Sequence, residues 1–320
     1  MCRISVISIR LFLVLLVTSA SSLFAQTGLG KTSSKRPPIF GISHVAVYVS
    51  DLSKSRAFYK TFLGFDEAFS LKRPDGTERM VALKVNDDQF LELFGEEARA
   101  DGQLSHIAIS TNDAAGMKNY LVSRGVFVPD EVHNGQNGNY FFTVQDPDGH
   151  YLEIVESKPD SLPARTKGRF LPAARISNHI AHAGILVGAA GPAMKFYRDI
   201  LGFRELWRGS NADNRQSWIS MKVPDGDDYF ELMLYQQLPP PRERGIQNHV
   251  CLEVPDVAKA VAELKSRITG QPYLYPYAIE VLTGKDTKHQ ANLLDPDGTR
   301  IELLESAPVD GKRATASGLP

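Results

Sequence analysis

The chain has 320 residues, with 36 Lys and Arg against 37 Asp and Glu, so its charge points neither to nucleic acid nor to an anionic membrane surface. Its length exceeds one average domain and suggests two, and 42% hydrophobic residues suffice for a substantial core. Cys2 and Cys251 are the only cysteines, and Cys2 falls in a segment expected to be removed, which excludes an intrachain disulfide framework.

At the N-terminus Arg3 and Arg10 precede an apolar run over residues 11–17 and small residues around 19–22. That order reads as a signal peptide over residues 1–25, cleaved near Ala25. The run falls short of the ~20 apolar residues a spanning helix needs. The expectation is a secreted or periplasmic protein without stable membrane association after cleavage. Residues 26–38, polar and Pro-rich, are expected to be a flexible leader.

The rest of the chain repeats itself four times. A first strand appears as Ile42-Ser43-His44-Val45-Ala46-Val47, Leu104-Ser105-His106-Ile107-Ala108-Ile109, Ile180-Ala181-His182-Ala183-Gly184-Ile185 and Gln247-Asn248-His249-Val250-Cys251-Leu252. Each leads into a predicted helix, over residues 51–62, 113–124, 192–201 and 256–267, with acidic or proline starts and, in three cases, a glycine stop. Alternating strands come next, and each unit closes on one carrying a glutamate: Glu92, Glu153, Glu231 or Glu302. The second and fourth units introduce that strand with Asp146-Pro147-Asp148-Gly149 and Asp295-Pro296-Asp297-Gly298. There Pro presets φ and Gly accepts a positive φ, so the turn fixes the register of the glutamate strand. The module is βαβββ, a size at which a repeat needs a neighbour to complete its core.

Linker composition groups the modules as 39–95 with 103–157 and 176–236 with 246–307. This gives domains over 39–157 and 176–307, a linker over 158–175 and a tail over 308–320. The linkers leave open whether each cup forms within a pair or by exchange between pairs.

Strand parity assigns the faces. Val45, Val47 and Val49 want the helix, which turns His44 and Ala46 to the open side of the sheet. The same count puts Glu92 opposite Leu91 and Leu93. Beside each histidine stands a small residue, Ala46, Ala108, Gly184 or Cys251, leaving room for something other than side chain. A lone strand histidine is ordinarily a half-buried hydrogen-bonding residue. Here four of only 8 histidines fall on four equivalent positions, so two modules side by side would converge two histidines and two glutamates on a divalent-metal site. His133, His150, His179 and His289 lie outside the repeat and read as surface, turn or supporting residues, with His179 a minor rival to His182. Glu156 and Glu305 have the opposite parity and read as solvent-facing or capping.

These modules resemble the vicinal oxygen chelate (VOC) superfamily of glyoxalase I, extradiol dioxygenases and bleomycin-resistance proteins. The most specific stretch is His44-Val45-Ala46-Val47-Tyr48-Val49 with Ser55, Phe58-Tyr59 and Leu63-Gly64-Phe65, similar to the opening signature of glyoxalase I; Phe196-Tyr197 and Leu201-Gly202-Phe203 echo it. The resemblance implies an α+β fold of four βαβββ modules in two glyoxalase-like domains, each with a cupped mixed sheet. It also implies metal sets of His44, Glu92, His106 and Glu153, and of His182, Glu231, His249 and Glu302, for Ni, Zn, Mn, Co or Fe.

The chemistry implied is glyoxalase I-like lyase or isomerase proton transfer on a small metal-chelating oxygenated substrate. The metal would polarise a substrate oxygen, and Glu153 and Glu302 would move the proton between adjacent carbons. An extradiol-type Fe(II) dioxygenase using His182, His249 and Glu302 is the alternative. Thr143 and Asn292 stand where that branch carries a tyrosine. A non-catalytic resistance-type binder is the third reading, and the full ligand set argues against it. Tyr48, Tyr140, Arg215, Trp218 and Tyr229 are candidate pocket walls. No nucleic-acid partner is expected, and either a monomer or a homodimer accommodates two cups per chain.

Overall fold

A computed structural model describes residues 35–98, 102–129, 131–235, 237, 239, 247–268, 275–309 and 311; the expected signal peptide and most of the leader and tail lie outside the described residues. The period-2 segments of the first two modules form one mixed eight-stranded sheet. Its order is β2 (Asp66–Lys72), β3 (Glu78–Lys84), β4 (Phe90–Gly95), β1 (Gly41–Val49), β5 (Leu104–Thr111), β8 (Tyr151–Glu156), β7 (Tyr140–Gln145), β6 (His133–Asn134). The other two modules repeat it as β10 (Arg204–Ser210), β11 (Gln216–Lys222), β12 (Tyr229–Tyr235), β9 (Ile180–Val187), β13 (His249–Val254), β16 (Arg300–Glu305), β15 (His289–Leu294), β14 (Leu282–Thr283). Antiparallel pairing of β1 with β5 and of β9 with β13 joins the modules at the centre of each sheet. The cups therefore form from modules one with two and three with four, giving the expected pair of α+β domains.

The first strands of modules one, two and four hand over to a helix that a carboxylate starts, whereas the helix of module three has Ala189 at its N-cap and no side-chain cap. Asp51 accepts from Ser53 N and Lys54 N at the start of α1 (Leu52–Arg56), which continues as a π-helical segment, Ala57–Phe62. Asp113 caps α2 (Ala114–Ser123), and Ser161 caps the short linker helix α3 (Leu162–Arg165). The third module repeats the first as α4 (Ala190–Met194) plus π-helical Lys195–Ile200, and the fourth supplies α5 (Val257–Ile268). Glu156 accepts from Ala114 N at 3.1 Å and Glu305 from Val257 N at 2.9 Å. The outward glutamates thus serve as helix caps, worth about 1 kcal/mol each.

One apolar core runs through both domains. Val45, Val47 and Val49 point into it with Tyr59, Phe62, Tyr197, Leu232, Leu264 and Tyr275. The two domains meet there: Phe62 stacks on Tyr275 with ring centroids 5.1 Å apart. Tyr120 Oη donates to Ile200 O and Arg267 Nη1 to Phe62 O, both at 2.6 Å. The two sheets thus bury one face each against a shared helical layer and leave the other free for chemistry. Of the leader, the end nearest β1 is held down, with Pro37 buried and Arg36 paired to Asp225 at 3.0 Å.

Candidate functional site

In the first domain the register of four strands builds the site. Ala46 lies opposite His106 across β1 and β5 and beside Glu92 of β4, while Ala108 lies opposite His44 and beside Glu153 of β8. Each small residue therefore clears the space into which one histidine and one glutamate lean. His44 Nε2 and His106 Nε2 are 3.0 Å apart. Glu92 and Glu153 approach His44 Nε2 at 3.6 Å, and Glu153 reaches His106 Nε2 at 3.8 Å.

The second domain repeats the arrangement with different spacing. His182 Nε2 and His249 Nε2 are 3.0 Å apart, Glu302 lies 3.2 and 3.4 Å from them, and Glu231 lies 3.5 Å from His249 Nε2. Gly184 stands opposite His249, and a Cβ built there would overlap the imidazole ring. All eight sequence-predicted donors are thereby gathered, four to each cup. Three from each, His44, Glu92 and His106, and His182, His249 and Glu302, offer ligand atoms within 4.8 Å of one another.

The donor chemistry fits a divalent ion. Two imidazole nitrogens each about 2.1 Å from one ion and at right angles to each other would be about 3.0 Å apart, which is the separation seen in both cups. Burial penalises charge in this setting. It pushes the Glu92 carboxyl up to about 8, and it raises Glu153 well above the carboxylate range, with the Glu92 charge adding to the effect. The His44 imidazole is held well below its ordinary value by burial and by His106, which keeps it neutral and able to ligate. In the second cup burial raises Glu231 to about 7. Burial also pushes Glu302 upward, but hydrogen bonds and charge from His182 and His249 outweigh it and hold that carboxyl well below its usual range. Burial and then Arg300 lower His249 to about 4.

Each cup opens into a cavity, about 400 Å³ in the first domain and 450 Å³ in the second, sizes that suit a small molecule. Tyr48 lines the first, together with Arg79, Phe94, Asn137 and Tyr151; Trp218 and Tyr229 line the second, with Trp207, Tyr235 and Arg300. Two expected wall residues lie elsewhere. Tyr140 is 40% exposed under Lys158, and Arg215 pairs with Asp213 on the surface. His179 is no rival to His182, because Asp228 at 2.7 Å and Glu253 at 3.5 Å engage its two nitrogens outside the cup. Arg300, beside His249 in the register, was missed, although its place two residues before Glu302 puts it on the ligand face by parity. The loop bearing Asn137 gave no such signal, since loop positions follow no period.

Comparison with known proteins places this geometry in a family. The model described as "Glyoxalase/Bleomycin resistance protein/Dioxygenase superfamily" matches residues 41–154 and 179–303. A lactoylglutathione lyase of Schizosaccharomyces pombe is 24% identical over 319 residues, covering 83% of this chain and 96% of that protein. Metapyrocatechase 2 of Cupriavidus necator is 26% identical over 256 residues, covering 73% and 71% respectively. Among solved structures, the Mn(II)-bound glyoxalase of Novosphingobium aromaticivorans superposes with a TM-score of 0.62 at 18% identity, over 89% of each chain.

Proposed function

The chain belongs to the glyoxalase/bleomycin resistance protein/dioxygenase superfamily, and from that membership and the two four-donor cups we propose a metal-dependent enzyme acting on a small, metal-chelating oxygenated substrate by glyoxalase-like proton transfer. His44, Glu92, His106 and Glu153 would hold one divalent ion, and His182, Glu231, His249 and Glu302 a second. The bound ion would supply positive charge that polarises the substrate's oxygens.

The protein's own part is positioning and proton transfer. Glu153 leans from β8 toward both histidine nitrogens of the first cup, and its carboxylate lines the cavity that a chelated substrate would occupy. A fixed position removes the entropy of bringing base to carbon. Accepting a proton from one carbon and returning it to the neighbour needs no further group. Glu302 occupies the corresponding place in the second cup. Tyr48, Arg79 and Asn137 would orient the remainder of the substrate in the first domain, and Trp218 and Tyr229 in the second.

The observation carrying this reading is the paired Nε2 separation of 3.0 Å in both domains with two carboxylates around each. A second reading draws on the second domain alone. There Glu302 lies 3.2 and 3.4 Å from His182 and His249, closer than either carboxylate comes to the histidines of the first cup; two histidines and one carboxylate are the donor set of non-haem Fe(II) oxygenases, so an extradiol-type dioxygenase is its competitor. Assay of the full chain reconstituted anaerobically with Mn(II), Co(II), Ni(II), Zn(II) or Fe(II) separates them. Exchange of the α-proton of a free α-hydroxy ketone with solvent D2O supports proton transfer. Oxygen uptake on catechols with Fe(II) alone would replace it with the second reading.

The N-terminal sequence supports export as part of the proposal. A substrate met outside the cytoplasm would be a free chelating small molecule rather than a cytosolic thiol adduct.

A further inference from the structure

The two Asp-Pro-Asp-Gly turns do not rest on their own domains alone. Asp146, at the head of the turn that delivers Glu153, is buried, and its Oδ2 accepts from Tyr197 Oη at 2.9 Å. Two residues on, Asp148 Oδ1 accepts from Gly188 N at 2.7 Å. Both donors belong to the second domain: Gly188 directly follows β9, the strand of His182, and Tyr197 sits in the helix after it. The relation is reciprocal. Asp295 Oδ2, at the head of the turn that delivers Glu302, accepts from Tyr59 Oη at 3.0 Å, and Asp297 Oδ2 accepts from Ser50 N at 3.1 Å. Ser50 directly follows β1, the strand of His44, and Tyr59 lies in the helix after that.

Within each turn the same carboxylates organise the loop. Asp146 Oδ1 accepts from Asp148 N and His150 N, and Asp295 Oδ1 from Asp297 N and Thr299 N, all at 2.7–3.0 Å. One oxygen of each aspartate thus closes the turn while the other binds the neighbouring domain, that of Asp146 also meeting His150 Nδ1 of its own turn at 2.8 Å. The turn starts β8 or β16, and the register of that strand decides whether Glu153 and Glu302, or the capping Glu156 and Glu305, face the cup. Burial makes the anchoring hydrogen bonds matter, because a buried carboxylate oxygen that loses its donor keeps its desolvation penalty.

We propose that the two cups are cross-wired: Tyr197 of the second domain is the positioning residue for Glu153 in the first, and Tyr59 of the first domain is the positioning residue for Glu302 in the second. Neither tyrosine touches a metal-binding atom; each acts through the turn. This rests on the proposed function only for the roles of the two glutamates, since the anchoring itself is a property of the fold.

The test uses the full chain with Tyr59→Phe and Tyr197→Phe, read by amide hydrogen exchange in metal-free protein and by Co(II) affinity. Tyr197→Phe is expected to speed exchange over residues 146–156 about tenfold or more while leaving residues 295–305 near wild type, and Tyr59→Phe to do the reverse. Chains with a single intact cup, made with His182→Ala or His44→Ala, should show Co(II) affinity falling about tenfold only in the domain opposite the tyrosine. Faster exchange confined to the substituted helix, or equal in both turns, would overturn the cross-wiring. Should a tyrosine variant not fold, Asp148→Ala and Asp297→Ala remove the acceptors of Gly188 N and Ser50 N; the crossed expectation is then faster exchange at those two amides of the opposite domain, and unchanged exchange there would overturn the proposal. Crossed exchange without any Co(II) binding would uphold the anchoring and reject the metal reading, so the two failures are distinct.

Discussion

Gly184→Ala is a single-methyl perturbation with a domain-specific consequence. The Cβ it adds would overlap the His249 ring, which lies against Gly184 in the β9–β13 register. Forcing an extra methyl into a packed site costs about 1–3 kcal/mol, while replacing glycine by alanine within a strand returns about 0.5–1 kcal/mol. The net loss should be about 0–2.5 kcal/mol, a fall in Tm of at most about 10 °C on the scale of about 2–4 °C per kcal/mol. The larger effect is on the ligand: the ring must swing away from His182, and disturbing a ligand's orientation weakens metal affinity about 10–100-fold. Co(II) titration of a His44→Ala chain, which isolates the second cup, reads this directly. The matched residue of the first cup is Ala46, opposite His106, so that cup already accommodates the methyl and Ala46→Gly should leave its affinity within about twofold. Undiminished Co(II) affinity in the Gly184→Ala second cup would refute the idea that this glycine exists to seat His249.

Other outcomes come from the same geometry. Glu153→Gln together with Glu302→Gln should abolish turnover while circular dichroism stays unchanged, and retained turnover would remove both residues from the base role. Burial raises the Glu92 carboxyl from its ordinary value of 4.5 to about 8 in metal-free protein. Its contribution to stability is therefore fully present below about pH 4.5 and is lost as pH rises through about 8. The loss is on the order of 5 kcal/mol, so metal-free Tm should fall across that window. Metal binding requires the carboxylate form and should reverse the slope; parallel Tm profiles with and without metal would contradict this. Tyr59→Phe should destabilise more than Tyr197→Phe, by roughly 1 kcal/mol in urea unfolding, because His150 also donates to Asp146 at 2.8 Å whereas Thr299 stands at the matching place beside Asp295. Finally, N-terminal sequencing of the protein recovered from its native compartment should begin close to Gln26, and an intact Met1 end would reject the processed-export expectation.

The histidine and glutamate faces were legible because strand parity is strict: a period of 2 leaves each residue one of two sides, and valines had already claimed one. The capping role of Glu156 and Glu305 was legible only as one of two options, since parity excludes them from the cup without saying what they meet. Linker composition grouped the modules into domains, but which modules share a cup was not legible. It depends on β1 choosing β5 as its antiparallel neighbour, and the loop lengths allow either choice. Tyr59 and Tyr197 had been visible only as part of a familiar signature; their anchoring of turns 236 and 51 residues away is a long-range contact that no local pattern encodes. Tyr140 and Arg215 were misplaced for the opposite reason. Aromatic and basic residues near a site in sequence carry no direction, and one lies on the outer side of its strand while the other pairs in a turn.

Each cup is proposed to hold one divalent ion on two histidines and two glutamates. Metal content of the full chain, purified anaerobically and measured by inductively coupled plasma mass spectrometry, tests this most directly alongside His44→Ala and His182→Ala. About two ions per wild-type chain are expected, with the loss of one in each variant and the fold retained. Metal at background in the wild-type chain after reconstitution, or a content unchanged by either substitution, would contradict it.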